Sequence, residues 1–239
     1  MEALPKDDTP SRFRALTALA CVQARLGKFT AARKTAEGIP VQRELRRDLA
    51  TLVRQLARAG RAKEAMTEID RLPAGEAKVY ALMHFGAGQA EAGDRKAARA
   101  SFEQAHRLIG DLQRQNSSID LATVRADAGD YEGAIQTADA YFPDNDLGYA
   151  NIANSHAKAG DFKGALEVAE KIKDGPGGQG PAWWKLNALP YIAECQAQRG
   201  DSKAALKWIE GLDSHIARAN ALVGLAKGMV PATRPPDKK

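Results

Sequence analysis

The side chains that could do chemistry are few, and their spacing does not gather them. His84, His106, His156 and His215 form no H-x-x-x-H or H-E-x-x-H pair, the spacing that puts two imidazoles on one helix face for a metal. They read as surface or groove residues. Cys21 and Cys195 belong to no C-x-x-C pair and read as two buried thiols. There is no G-x-S-x-G elbow to carry a serine nucleophile, and the carboxylates are mostly scattered beside Lys or Arg at helical spacing, as on solvated faces. The run from Asp174 to Trp184, DGPGGQGPAWW, lacks the Gly-Lys-Ser/Thr ending of a phosphate loop. It reads as a mobile connector. The expectation is therefore a protein that is not an enzyme and holds no metal or cofactor.

Charge is the one chemical property that is unevenly placed. The formal net charge is +5; residues 1–72 hold 15 Lys and Arg against 9 Asp and Glu, and residues 73–239 hold 20 against 21. All of the excess lies in the first third, which points to an anionic partner there.

The elements that must position these groups are helices. Ala supplies 46 of 239 residues, aromatics are 6%, and strand-length runs of Ile, Val and Thr are absent, a composition that favours helices packed through small residues. No segment approaches the roughly 18 apolar residues of a membrane span, and the first eight residues, MEALPKDD, carry acids where a signal peptide needs an apolar stretch. A cytoplasmic location is expected. Residues 1–11 and 231–239 are polar and proline-containing and read as flexible ends of one domain over 12–230.

That domain is repetitive. Gly27, Gly60, Gly93, Gly129, Gly160 and Gly200 recur at intervals of 33, 33, 36, 31 and 40 residues. Three residues before them stand Ala24, Ala57, Ala90, Ala126, Ala157 and Ala197; five after stand Ala32, Ala65, Ala98, Ala134, Ala165 and Ala205. Eight before, the residue is large and apolar: Leu19, Leu52, Phe85, Leu121, Ile152, Ile192. Apolar positions at three- and four-residue spacing on both sides of each glycine make two amphipathic helices per unit. The glycine ends the first helix in the left-handed conformation, and Asp94, Asp130, Asp161 and Asp201 are placed to cap the second. The twelve alanines should be buried where the helices meet. Pro190, inside a first helix, should kink it unless the helix starts beside it. Trp183 and Trp184 are adjacent, so one should pack and the other is left exposed, for packing or for ligand contact. His215 to Val230 repeats only a first helix and reads as a cap over the sixth repeat.

With a large residue, Leu, a small residue and Gly in the first helix, then Phe29, Tyr131 and Phe162 two after the turn glycine and Phe102 later, the chain resembles the tetratricopeptide repeat family. The resemblance covers about residues 13 to 230. Ala62, Arg95 and Ser202 depart from the aromatic after the turn, and Ser118 from the first large position. It implies an all-α, right-handed α-solenoid of about six degenerate repeats plus a C-terminal capping helix. It also implies a concave groove lined by the first helices, at thirteen, ten, nine, six and two residues before each turn glycine. Among those positions the candidates for partner contact are Arg14, Arg25, Arg47, Arg54, Arg58, Tyr80, His84, Asn116, Asn151 and Asn154. The family's two-carboxylate clamp needs a Lys, Asn and Arg set that no three repeats here supply.

The expected function is that of a non-catalytic scaffold or adaptor binding an acidic peptide or helix of another protein at the basic N-terminal end. The alternative for the arginines is that they fan outward to carboxylates such as Glu37 or Glu64. Two further readings stand beside it. Nucleic-acid binding follows from a pI near 9.2 but lacks aromatics at repeated groove positions to stack bases, and self-association follows from the weak covering of the N-terminal end.

Overall fold

In the computed structural model the described residues are 9–37, 46–112, 115–141, 146–173 and 183–230. The expectations for the chain ends before Thr9 and after Val230, and for the connector up to residue 182, lie outside them. The described residues hold thirteen helices and no strand. None of these helices is long and apolar enough to cross a membrane.

The chain divides into two compact units, Met1–Gly133 and Ala134–Lys239. The first holds α1 (Thr9–Arg25), α2 (Phe29–Glu37), α3 (Arg46–Arg58), α4 (Ala62–Asp70), α5 (Glu76–Glu91), α6 (Arg95–Leu112), α7 (Gln115–Asp127) and the start of α8 (Tyr131–Tyr141). There α1 packs on α2 and α3, α3 on α4 and α5, and α5 on α6 and α7. The second holds the rest of α8, then α9 (Asp146–Ala159), α10 (Phe162–Glu170), α11 (Trp183–Gln198), α12 (Ser202–Glu210) and α13 (His215–Met229). There α9 packs on α10 and α11, and α11 on α12 and α13. Helices α1, α3, α5, α9 and α11 therefore each touch their own second helix and the next first helix of the same unit. The second helices α2, α4, α10 and α12 have nine residues each, shorter than the roughly 12 to 15 that hold a helix in water alone. Their stability comes from the faces they bury.

The turn glycines behave as the repeat demands. All six have positive φ, from 73° at Gly27 to 90° at Gly93. Each closes the same pair of backbone bonds: the Gly93 N–H donates to the Ala90 carbonyl (2.9 Å) and the Asp94 N–H to that of Gln89 (2.9 Å), and the other five turns repeat this. This is the Schellman arrangement, which satisfies carbonyls that a helix end would leave open. Capping by the following Asp is partial. Asp94 accepts from the Ala97 N–H (2.9 Å) and Asp161 from the Gly164 N–H (3.0 Å). Asp201 makes no cap bond; its carboxylate accepts from the Gln196 amide at 3.1 Å.

Eleven of the twelve column alanines are buried. Ala90 is only half-buried, because it borders a cavity of about 560 Å³ between α6 and the turn after α7, lined also by Arg95, Lys96, Arg99 and Asp130. Small residues set the helix separations elsewhere too. A Cβ on Gly88 of α5 would lie 2.4 Å from the Arg54 carbonyl oxygen of α3, and one on Gly86 would lie 2.6 Å from the Phe102 ring of α6.

Helix α11 begins at Trp183 and runs on through Pro190, so of the two outcomes expected for the proline a start beside it is excluded. Two expectations are corrected. Neither tryptophan is core: both are exposed and their rings stack on each other, 5.7 Å between centroids. The thiols of Cys21 and Cys195 are only half-buried.

Candidate interaction face of the first helices

The side chains proposed to meet a partner sit on first helices, and their backbone register decides which of them reach solvent. The position ten before the turn does not in the first five repeats. Thr17, Ala50, Met83, Ile119 and Ala150 are buried and only Pro190 of the sixth is half-exposed, so in those five this position is helix contact rather than groove lining. The positions nine, six and two before the turn are open to differing degrees: His84, Asp120 and Asn151 are half-exposed, as are Arg54, Thr123 and Asn154, while Arg25, Arg58, Glu91, Asp127 and Lys158 are exposed.

In Met1–Gly133 these positions meet across neighbouring helices. Arg54 of α3 donates from Nε (3.0 Å) and Nη2 (2.5 Å) to Glu91 of α5, and the Tyr80 hydroxyl of α5 donates to the Asp120 carboxylate of α7. His84 lies one turn after Tyr80, within the electrostatic reach of Arg54, Glu91 and Asp120. Burial is the main cause that lowers its pKa; Arg54 adds to this, and Asp120 and Glu91 oppose it. Its Nδ1 is buried with no hydrogen-bond partner among the described residues. A neutral imidazole is the form such a site holds at pH 7.

The expectation of unpaired arginines needs correction at Arg54. The position six before one turn and the position two before the next are spatial neighbours, so Glu91 of the third repeat neutralises Arg54 of the second. Glu64 takes Arg61, its neighbour at three residues' spacing, with 2.7 Å to Nε. Arg25 and Arg58 remain exposed, and neither forms an ion pair with a described residue. The side chains of Arg14, Arg47, Asn116 and Glu37 lie outside the described residues. In Ala134–Lys239, Asn151 and Asn154 share α9; the Asn154 side-chain oxygen is buried without a hydrogen-bond partner among the described residues. The candidate residues thus form two sets, one in each unit.

One set of polar side chains was missed, at four residues before the turn: Gln23, Gln89, Arg125, His156 and Gln196. They close the hairpins from inside. Gln23 accepts from Thr35 (2.9 Å), Gln89 from Ser101 (2.6 Å) and Gln196 from the Trp208 indole (3.0 Å), each bond spanning twelve residues. In two repeats the same column reaches the Asp after the turn glycine, Arg125 Nε to Asp130 (2.8 Å) and His156 Nδ1 to Asp161 (2.8 Å), and Gln196 also donates to Asp201 (3.1 Å). Arg125 is 1% exposed and also bonds Glu103 through Nη2 at 2.5 Å. Gly133 makes room for it, since a Cβ there would lie 2.3 Å from Nη2. The signal was readable: the column is polar in five of six repeats and Leu56 alone breaks it.

Comparison with protein-family models and with curated proteins gives no match for this chain.

Proposed function

We propose that the chain is a non-catalytic scaffold of tetratricopeptide type, a right-handed α-solenoid acting in the cytoplasm. The first-helix face of Met1–Gly133 would take an acidic peptide or helix from a partner protein. The solenoid reading is supported by one turn chemistry repeated at six glycines and by first helices packed in succession within each unit. The observation that carries the binding reading is the exposure of Arg25 and Arg58 two residues before successive turns, with no ion pair to a described residue. Guanidinium groups held on neighbouring helices favour a ligand that supplies carboxylates, which they bind in bidentate fashion. Arg54 is already bonded to Glu91 and contributes shape more than free charge.

A peptide-display selection on the full chain tests the proposal. Enriched peptides should be rich in Asp and Glu, and the double variant Arg25→Glu, Arg58→Glu should lose them while keeping the wild-type melting temperature. Enrichment of neutral or basic peptides, or binding unaffected by the double variant, would overturn it.

A further inference from the structure

The cavity of about 560 Å³ within Met1–Gly133 is lined by the second helix α6, the end of α5 and the turn after α7, and by none of the candidate partner-contact residues. Its volume lies in the range of small-molecule pockets, roughly 300 to 1,000 Å³. The lining is mainly apolar, built from Ala90, Ala98, Ala128 and the almost wholly enclosed Phe102. Three of these four are alanines, so the hollow is the space that longer side chains would have filled.

The charged part of the lining is unbalanced once its ion pairs are taken out. Asp130 is held by Arg99 (3.1 Å) and by the buried Arg125 (2.8 Å), and Glu103 by Arg125 (2.5 Å). Both carboxylates of the lining are thereby answered. Arg95 and Lys96 remain, exposed and without an ion pair to a described residue. The preceding Asp94 turns its carboxylate to the Ala97 N–H (2.9 Å), and the first turn of α6 holds no acid. Two cations at the positive end of a helix destabilise it, and nothing among the described residues offsets them.

We infer that the cavity binds a small amphiphilic acid, its anionic head between Arg95 and Lys96 and its apolar body against Ala90, Ala98 and Phe102. A guanidinium and an ammonium at adjacent positions both donate to one carboxylate, and the alanine wall leaves water only when an apolar body covers it. An inorganic anion would leave that wall wet, and a neutral hydrocarbon would leave both cations unanswered. The lining therefore calls for both halves in one molecule. This site is independent of Arg25 and Arg58 and of any peptide bound there.

Decanoate is the probe, with decanol and inorganic phosphate as its two halves, each titrated into the full chain while alanine methyl signals are followed by NMR. Decanoate should shift Ala90, Ala98 and Ala128 and saturate, and decanol and phosphate should each bind at least about tenfold more weakly. The double variant Arg95→Ala, Lys96→Ala should weaken decanoate by about tenfold or more, with a melting temperature equal to wild type or higher, because the start of α6 loses two repelling charges. Ala128→Leu fills the cavity and should abolish binding; the position before the turn glycine carries long side chains in Leu26 and Arg199, so the turn accepts the change. Binding should persist in the double variant Arg25→Glu, Arg58→Glu, which separates this site from the peptide site. Decanol or phosphate as tight as decanoate, shifts confined to other parts of the chain, either cavity variant binding like wild type, or loss of binding in the Arg25, Arg58 variant would each overturn the inference.

Discussion

Arg125 shows how one residue's worth depends on its surroundings. A guanidinium that is fully enclosed loses its hydration, and Asp130 and Glu103 must replace it. Removing Asp130 strands part of that charge at Nε, which Asp130 answers, while Glu103 still holds Nη2. Asp130→Ala should lower unfolding free energy by about 3 kcal/mol, read from urea denaturation, and Arg125→Met in the same background should recover part of the loss. His84 makes a different prediction. Burial lowers its folded-state pKa below the ordinary value, so the unfolded chain binds the proton more readily. Stability contributed at His84 is whole above about pH 6.5 and declines as pH falls from there toward the folded pKa. His84→Gln should flatten that decline in denaturation midpoints measured from pH 7.5 to 5; an equal slope in the variant would assign it elsewhere, His106 being the other histidine lowered by burial.

At the scale of elements the fold depends on small side chains at helix contacts and on carboxylates at helix starts. Gly88→Ala puts a methyl group against the backbone of α3, which cannot rotate away, and should cost about 1 to 3 kcal/mol in a thermal melt. Ala98→Leu should cost a similar amount, because Ala98 is buried. Asp161 caps α10, and the Gly164 N–H, then His156, hold its carboxyl below the usual range. A depressed acid contributes stability that is present above its unfolded value of about 4 and lost as pH falls through the folded one. Asp161→Ala should therefore cost about 1 kcal/mol at neutral pH, and the gap to wild type should narrow as pH falls below the unfolded value of about 4. The hairpins were legible in the sequence because their determinants are local: glycine, alanine and aspartate lie within a few residues of the turn they shape. The join of Arg54 to Glu91 was not, because it spans 37 residues and depends on how one first helix settles on the next. The same limit explains why the buried column ten before the turn was assigned to the groove. Trp183 and Trp184 escaped for another reason: adjacent side chains on a helix diverge in the ideal geometry, yet these rings turn back to stack.

For the whole molecule, charge placement carries the functional consequence. The first 72 residues hold the whole positive excess, and part of it is neutralised within the fold by Glu91. What remains for a partner is smaller than the formal count but sits on exposed side chains. Affinity for an acidic peptide should fall as ionic strength rises past the point where screening acts over about 8 to 10 Å. Titrations of the full chain with an Asp- and Glu-rich peptide at about 50 and about 500 mM salt would show the trend.

The six identical turns have a consequence for how the molecule opens. The amide that follows each turn glycine, from Lys28 through Asp201, donates to a carbonyl five residues back, although five of these six residues are exposed and Asp130 is half-buried. A hydrogen so held exchanges with solvent only when its hairpin comes apart. The chain thus carries one slow-exchanging proton per hairpin, six clocks set at known places along it. Their relative rates, followed by deuterium uptake, would rank the hairpins by local stability and show which of them loosens first.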